Sequence, residues 1–128
     1  MATCLDISAT DYPKKVADHA IKPLEGKSLV PIFNNQPFER EAIYWEHEGN
    51  RAVRMGNWKL VAKGQMRDRN QPVKWELYDM ANDRNENKDL IEQETERAEK
   101  MKAMWQTYAH RADVYPCPVA KPKQKKSP

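Results

Sequence analysis

The run EHEGNR, Glu46 to Arg51, brings an imidazole, a carboxamide and a guanidinium close together in the chain, at His47, Asn50 and Arg51. Such groups supply hydrogen-bond donors and one permanent cation, and Arg can bond two oxygens of a sulfate or carboxylate with its planar fork. Polar groups of this kind at the end of a sheet can face a binding site. A plainer reading is structural: Gly49 and Asn50 shape a strand junction, and Arg51 pairs with Glu48 or Glu46. Both readings depend on the elements that hold the run.

Catalysis asks for more than binding groups. A nucleophile needs a base within hydrogen-bond reach and a third group to orient that base. The histidines are His19, His47 and His110, and none lies in His-x-x-x-His or another metal-ligand spacing. Gly26-Lys27-Ser28 imitates the end of a phosphate loop but lacks its preceding glycine and its strand–helix setting. Carboxylates are plentiful, yet none is framed by apolar neighbours that would raise its pKa. Cys4 and Cys117 sit near opposite ends and form a disulfide only if the ends meet. The expectation is no catalytic residue and no metal ligand in this chain.

Composition sets the frame. At 128 residues the chain has the size of one ordinary domain. With 39% hydrophobic and 32% charged residues and nine prolines it is polar for a self-sufficient core, but four Trp and five Tyr are too many for a disordered chain. A compact domain with a wet perimeter, or a piece of something larger, satisfies both facts. Lys121, Lys123, Lys125 and Lys126 crowd the end, and removing these four from the net +3 leaves the body at −1. With the body near neutral and the aromatics reading as core, no nucleic-acid partner is expected. No apolar run approaches the ~20 residues that span a bilayer, so no membrane partner is expected either. The first residues lack the apolar stretch of a signal peptide, and the compartment stays open.

The positioning elements follow from periodicity. Ala2 to Ser8 allows a turn or two of helix, and Asp11 to Pro31, broken by Pro13, Pro23, Gly26 and Pro31, reads as an extended connection that needs a surface to lie on. Strand signals then fill EAIYWEH (Glu41–His47), RAVRM (Arg51–Met55), WKLVAK (Trp58–Lys63) and KWELYDM (Lys74–Met80), with Gly56-Asn57 as a tight turn. Alternation puts Arg51, Val53 and Met55 on one face of their strand and Ala52 and Arg54 on the other. NDRNENKDLIEQ offers capping residues and a short first turn, and from Glu94 the stripe Ala98, Met101, Trp105, Tyr108, Ala112 marks one helix face packed on the sheet. The predicted fold is α+β: a small four-stranded antiparallel sheet packed by a C-terminal helix. Residues 1–40 form an extended arm, 41–112 the sheet and helix, and 113–128 a disordered basic tail.

Three runs in this order, LEGKSLVP after a YPKK arm, then YWEHEGNRAVRMGNWKLV, then WELYDMANDRNENKDL, resemble the C-terminal subdomain of the arylsulfatase family. The turn Asp83-Arg84-Asn85-Glu86 before Asp89-Leu90 is similar to that family's D-x-x-E pattern, and the resemblance runs from Met1 to about Pro118. It implies the C-terminal subdomain of an alkaline-phosphatase-like sulfatase fold, with Met1 an internal methionine and the catalytic N-terminal domain missing. It also implies that a full-length relative hydrolyses sulfate esters with a formylglycine, made within a C/S-x-P-x-R motif, and a calcium ion. Neither Cys4 nor Cys117 stands in such a motif, so calcium and formylglycine are expected only in the full-length enzyme. The resemblance implies a role for the opening residues too: His47, Asn50 and Arg51 face the substrate cleft and touch the organic part of the ester. Expected partners are the missing N-terminal sulfatase domain, or a second copy through self-association, and a sulfated substrate once the enzyme is complete. The chain would complete the fold and wall the pocket without being catalytic alone. The alternative is a stand-alone, non-catalytic binding or interaction module derived from a sulfatase.

Overall fold

The computed structural model describes residues 1–64 and 72–114 and divides the chain into two units, Met1–Arg40 and the part from Glu41 onward. The basic tail, Cys117 and hence its pairing with Cys4, and most of the loop after Gly64 lie outside the described residues. Cys4 itself is exposed.

In the first unit the segment read as extended carries small pieces of structure. Helix α1 covers Ala2–Ile7. Strands β1, Lys15–Val16, and β2, His19–Ala20, pair antiparallel, with Val16 opposite His19 and Ala17 at φ +50° in the turn between them. A short helix, α2, covers Val30–Phe33, and Pro31 sits in its first turn, where a missing N–H costs nothing. These pieces escape a periodicity argument because local backbone bonds close them without an apolar stripe. No residue of Met1–Arg40 is buried. Its order comes instead from bonds such as the Leu29 N–H to Thr3 Oγ1 (3.1 Å) and Lys27 Nζ to the Glu39 carbonyl (2.9 Å).

The second unit matches the predicted sheet and helix. Strands β3 (Ile43–His47), β4 (Asn50–Met55), β5 (Trp58–Ala62) and β6 (Trp75–Asp79) form one antiparallel sheet in that order. Gly56 takes φ +57° in the β4–β5 turn, a conformation that glycine adopts without strain. The register aligns Tyr44, Val53, Leu60 and Leu77 across the four strands, and Val53, Leu60 and Leu77 are fully buried.

Helix α3, Thr95–Arg111, packs on the face those residues share. Its buried positions are Ala98, Met101, Trp105 and Ala109. Tyr108 flanks that stripe and stacks on Tyr44, with ring centroids 4.7 Å apart and planes 6° from parallel. At 3.6 residues per turn the stripe drifts, which puts Ala109 on the axis of contact and Tyr108 beside it. No helix of the described residues is long and apolar enough to cross a membrane.

The Trp105 indole N–H donates to the Trp45 carbonyl at 3.1 Å, a carbonyl that the hairpin register turns toward β4. The outer edge of β6 finds partners that are not strands. On the β6 edge the Leu77 N–H donates to Asp89 Oδ1 (3.0 Å), and the Leu77 carbonyl accepts from the Leu90 N–H (2.8 Å). The segment before α3, which its capping residues mark as a helical first turn, is therefore a series of turns. Asp83 Oδ2 accepts from the N–H groups of Asn87 (2.7 Å) and Lys88 (2.8 Å), and Asp89 Oδ1 also accepts from Ile91 N–H (3.0 Å). Side chains that satisfy their own neighbouring backbone compete with helix formation, and here they win.

Trp105 is fully buried, edge-on to Trp75 at 5.8 Å and with the Arg51 guanidinium 5.1 Å from its ring centroid. Trp105→Ala should destabilise the fold by about 3–5 kcal/mol in chemical denaturation. The exposed neighbour Gln106→Ala should stay within about 0.5 kcal/mol of the parent.

Candidate functional site

Because α3 covers only one face, period-two alternation leaves a second, open face. One row across it is Trp45, Ala52, Val61 and Glu76; the next is Ile43, Arg54, Lys59 and Tyr78. Trp45 is 47% exposed and Ile43 39%, large apolar side chains set among charges. A shallow depression of about 360 Å³ lies here, with Trp45, His47, Asn50, Val61, Lys63 and Glu76 among its lining residues.

The β3–β4 hairpin shapes the end of this depression. Its turn is Glu48-Gly49, with φ +54° and +89°, and Asn50 is already the first residue of β4, opposite His47. Two successive positive φ values match the twist of a tight hairpin but are unusual for Glu. Side chains hold it there. Glu46 Oε1 accepts from the Gly49 N–H at 2.8 Å, and Asn50 Nδ2 donates to the His47 carbonyl at 2.9 Å. Asn50 Oδ1 also accepts from the Gly64 N–H at 3.2 Å, joining the hairpin to the end of β5. A Cβ at position 64 would land on the Gly49 carbonyl, so only glycine fits there.

The structure brings His47 and Asn50 together at this rim. The His47 side chain is 84% exposed, with Nε2 4.0 Å from Glu48 Oε2. Arg51 lines the same depression but is itself buried, and its guanidinium lies 5.1 Å from the Trp105 ring centroid. Further along the open face Lys59 forms an ion pair with Glu86. Trp45 is the prominent side chain that the sequence reading placed in a strand but not in a site. Alternation alone, with Val53 as an inward reference, puts it on the open face.

These groups can bind and orient a ligand. Tyr78, the nearest phenol, donates its O–H to Glu76 Oε2 at 3.0 Å. Burial, then that hydrogen bond, pushes its pKa up to about 12, so it stays a neutral donor rather than a base. The calcium implied for a full-length relative finds no donor set among the described residues. No group of three His, Cys, Asp or Glu comes together there, and Asp79, Asp83 and Asp89 turn carboxylate oxygens to backbone N–H groups.

No family model matches the chain. Among solved structures it is similar to BT4656, determined with its substrate D-glucosamine-2-N,6-O-disulfate: TM-score 0.62, 20% identity, over 94% of this chain and 25% of that one. It is also similar to a Bacteroides thetaiotaomicron protein from a study of glycosaminoglycan metabolism, with TM-score 0.63, 15% identity, and 85% and 24% of the two chains covered. A third, Ps i-CgsB, gives 0.59 and 21%, over 86% and 23%. At 15–21% identity these likenesses show a shared α+β fold. The chain spans about a quarter of the length of the structures it matches.

The Tyr78 shift has a defined sign. Its folded pKa lies above the ordinary 10.0, so the neutral phenol's contribution is complete below pH 10 and is lost as pH rises toward 12. Across that window Tyr78→Phe should flatten the fall in stability relative to the parent, by about 2–3 kcal/mol at its upper end. Denaturation midpoints of both proteins over the alkaline range give the comparison.

Proposed function

We propose that this chain is the C-terminal portion of an arylsulfatase-like sulfuric ester hydrolase, completing that fold and walling one side of the substrate pocket, and not catalytic alone. The observation that carries the reading is coverage: 94% of this chain superimposes on 25% of a sulfated-saccharide-bound relative. The partner is then a large sulfatase domain bearing the formylglycine and calcium. In this reading His47 and Asn50 touch the organic part of the ester. Asn50 keeps one amide hydrogen and one lone pair for that task beyond its two internal bonds. Arg51 acts from beneath as a positioning residue, holding β4 against Trp105.

Reading the DNA upstream of the Met1 codon in frame is the first test. An open frame encoding C/S-x-P-x-R and clustered calcium-binding acids is the expected result, and a stop codon close upstream would overturn the proposal. In the protein so encoded, His47→Ala should raise KM for a sulfated saccharide roughly threefold to tenfold with kcat little changed. Unaltered KM would remove His47 from the wall.

A stand-alone binding module is the second reading, and one observation favours it. The core of Val53, Leu60, Leu77, Met101 and Trp105 is closed within the chain, each at 0% exposure. Sedimentation separates the two. The first reading expects the isolated chain to self-associate through exposed Trp45 and Ile43. The module reading expects a single cooperative monomer.

A further inference from the structure

At the end of the open face away from His47 lies a larger depression, about 650 Å³, lined by Arg54, Asn57, Met80, Ala81 and Arg84. We propose that it is an oxyanion-binding site, taking a sulfate- or phosphate-class group, free or carried on a saccharide, between the guanidinium groups of Arg54 and Arg84.

The argument is one of unbalanced charge. Both arginines are exposed, and neither forms an ion pair with a described carboxylate. Arg54 donates Nε–H to the Gly56 carbonyl at 3.2 Å, which fixes the side chain over the β4–β5 turn and leaves its terminal N–H groups undirected. The nearby acids are engaged elsewhere. Asp79 accepts from Ala81 N–H (3.0 Å) and Asn82 Nδ2 (2.7 Å), and Asp83 accepts from Asn87 and Lys88. Glu86 neutralises Lys59, the residue directly opposite Arg54 across the strands. Two guanidinium groups therefore share one concave wall with no anion among them, an arrangement whose repulsion a bound oxyanion would relieve. Asn57, from the same turn, adds a carboxamide that can donate to a third oxygen.

The surroundings suit a sugar as the carrier. A neighbouring depression shares Arg54 and Met80 with this one and extends to Trp45, whose half-exposed indole offers a flat apolar surface for a ring. The two-arginine pocket itself shares no lining residue with the depression at His47, and the neighbouring depression joins them through Trp45, Ala52 and Lys59.

The test is a titration of the full chain with sodium sulfate, D-glucosamine-2-N,6-O-disulfate and unsulfated glucosamine, at ionic strength held constant with chloride. The readout is the Asn57 side-chain amide in NMR spectra. Saturable shifts with sulfate and the disulfate, absent with glucosamine, are expected. Equal affinity assigns the site to the free oxyanion; tighter disulfate binding that Trp45→Ala weakens assigns it to the saccharide. Arg54→Gln and Arg84→Gln should each cost about tenfold or more in affinity, the loss expected when a charge-assisted bond is removed. Lys100→Gln, on the exposed side of α3, should leave binding unchanged. Unsaturable shifts, or saturable ones indifferent to both arginine substitutions, would overturn the site.

Discussion

The indole of Trp105 is the contact on which the two-layer arrangement rests. It reaches β3 through its N–H to the Trp45 carbonyl, β4 through the overlying Arg51 guanidinium, and β6 through the edge of Trp75. A buried tryptophan removes roughly 150–250 Å² from water, about 5 kcal/mol of transfer free energy at ~25 cal/mol per Å². Because the side chain is fully enclosed, that term is realised in full. The Tyr44–Tyr108 stack and Arg97, 4.3 Å over the Trp58 ring, pin further points of α3 to the sheet. With the helix so fixed, which face of each strand points inward is fixed too, and the open face is whatever remains.

That dependence explains what was legible in the chain. RAVRM and WKLVAK alternate cleanly, so Val53 and Leu60 announce the core side, and Arg51 goes with them by parity. By the same parity His47 and Asn50 belong to the open face. The stripe from Ala98 to Trp105 identifies the helix and its contact line. Less legible was anything decided by a side chain bonding to backbone. Glu48 sits at positive φ because Glu46 and Asn50 clamp the hairpin around it, a cooperation that no single-residue preference encodes. Asp83 and Asp89 convert a plausible helix start into turns, and those turns carry Arg84 to the open face, far in sequence from Arg54. The arm's short pairings had no signal for a different reason: two-residue strands contain too few positions to show a period.

Chemically, the open face sets side chains of three kinds in a row. Its apolar centre, Trp45, Ala52 and Val61, separates a rim of hydrogen-bonding groups at His47 and Asn50 from a cationic end at Arg54 and Arg84. The Tyr78 phenol, held neutral by burial and by Glu76, adds no proton-transfer capacity. A surface graded from polar to apolar to cationic orients an elongated ligand by its ends, since reversing the ligand would place its charge against the wrong rim.

The covered β6 edge of the sheet carries a consequence for how recognition can change over time. Strand addition would read a partner through backbone hydrogen bonds, which are blind to side-chain identity and tied to a fixed alignment. Asp89 and Leu90 already use the Leu77 backbone groups that such a partner would need there. On that side recognition is thereby moved onto the face, where each contact belongs to one side chain. Selectivity on this scaffold can then be rewritten one codon at a time, while the ladder of the sheet beneath stays untouched.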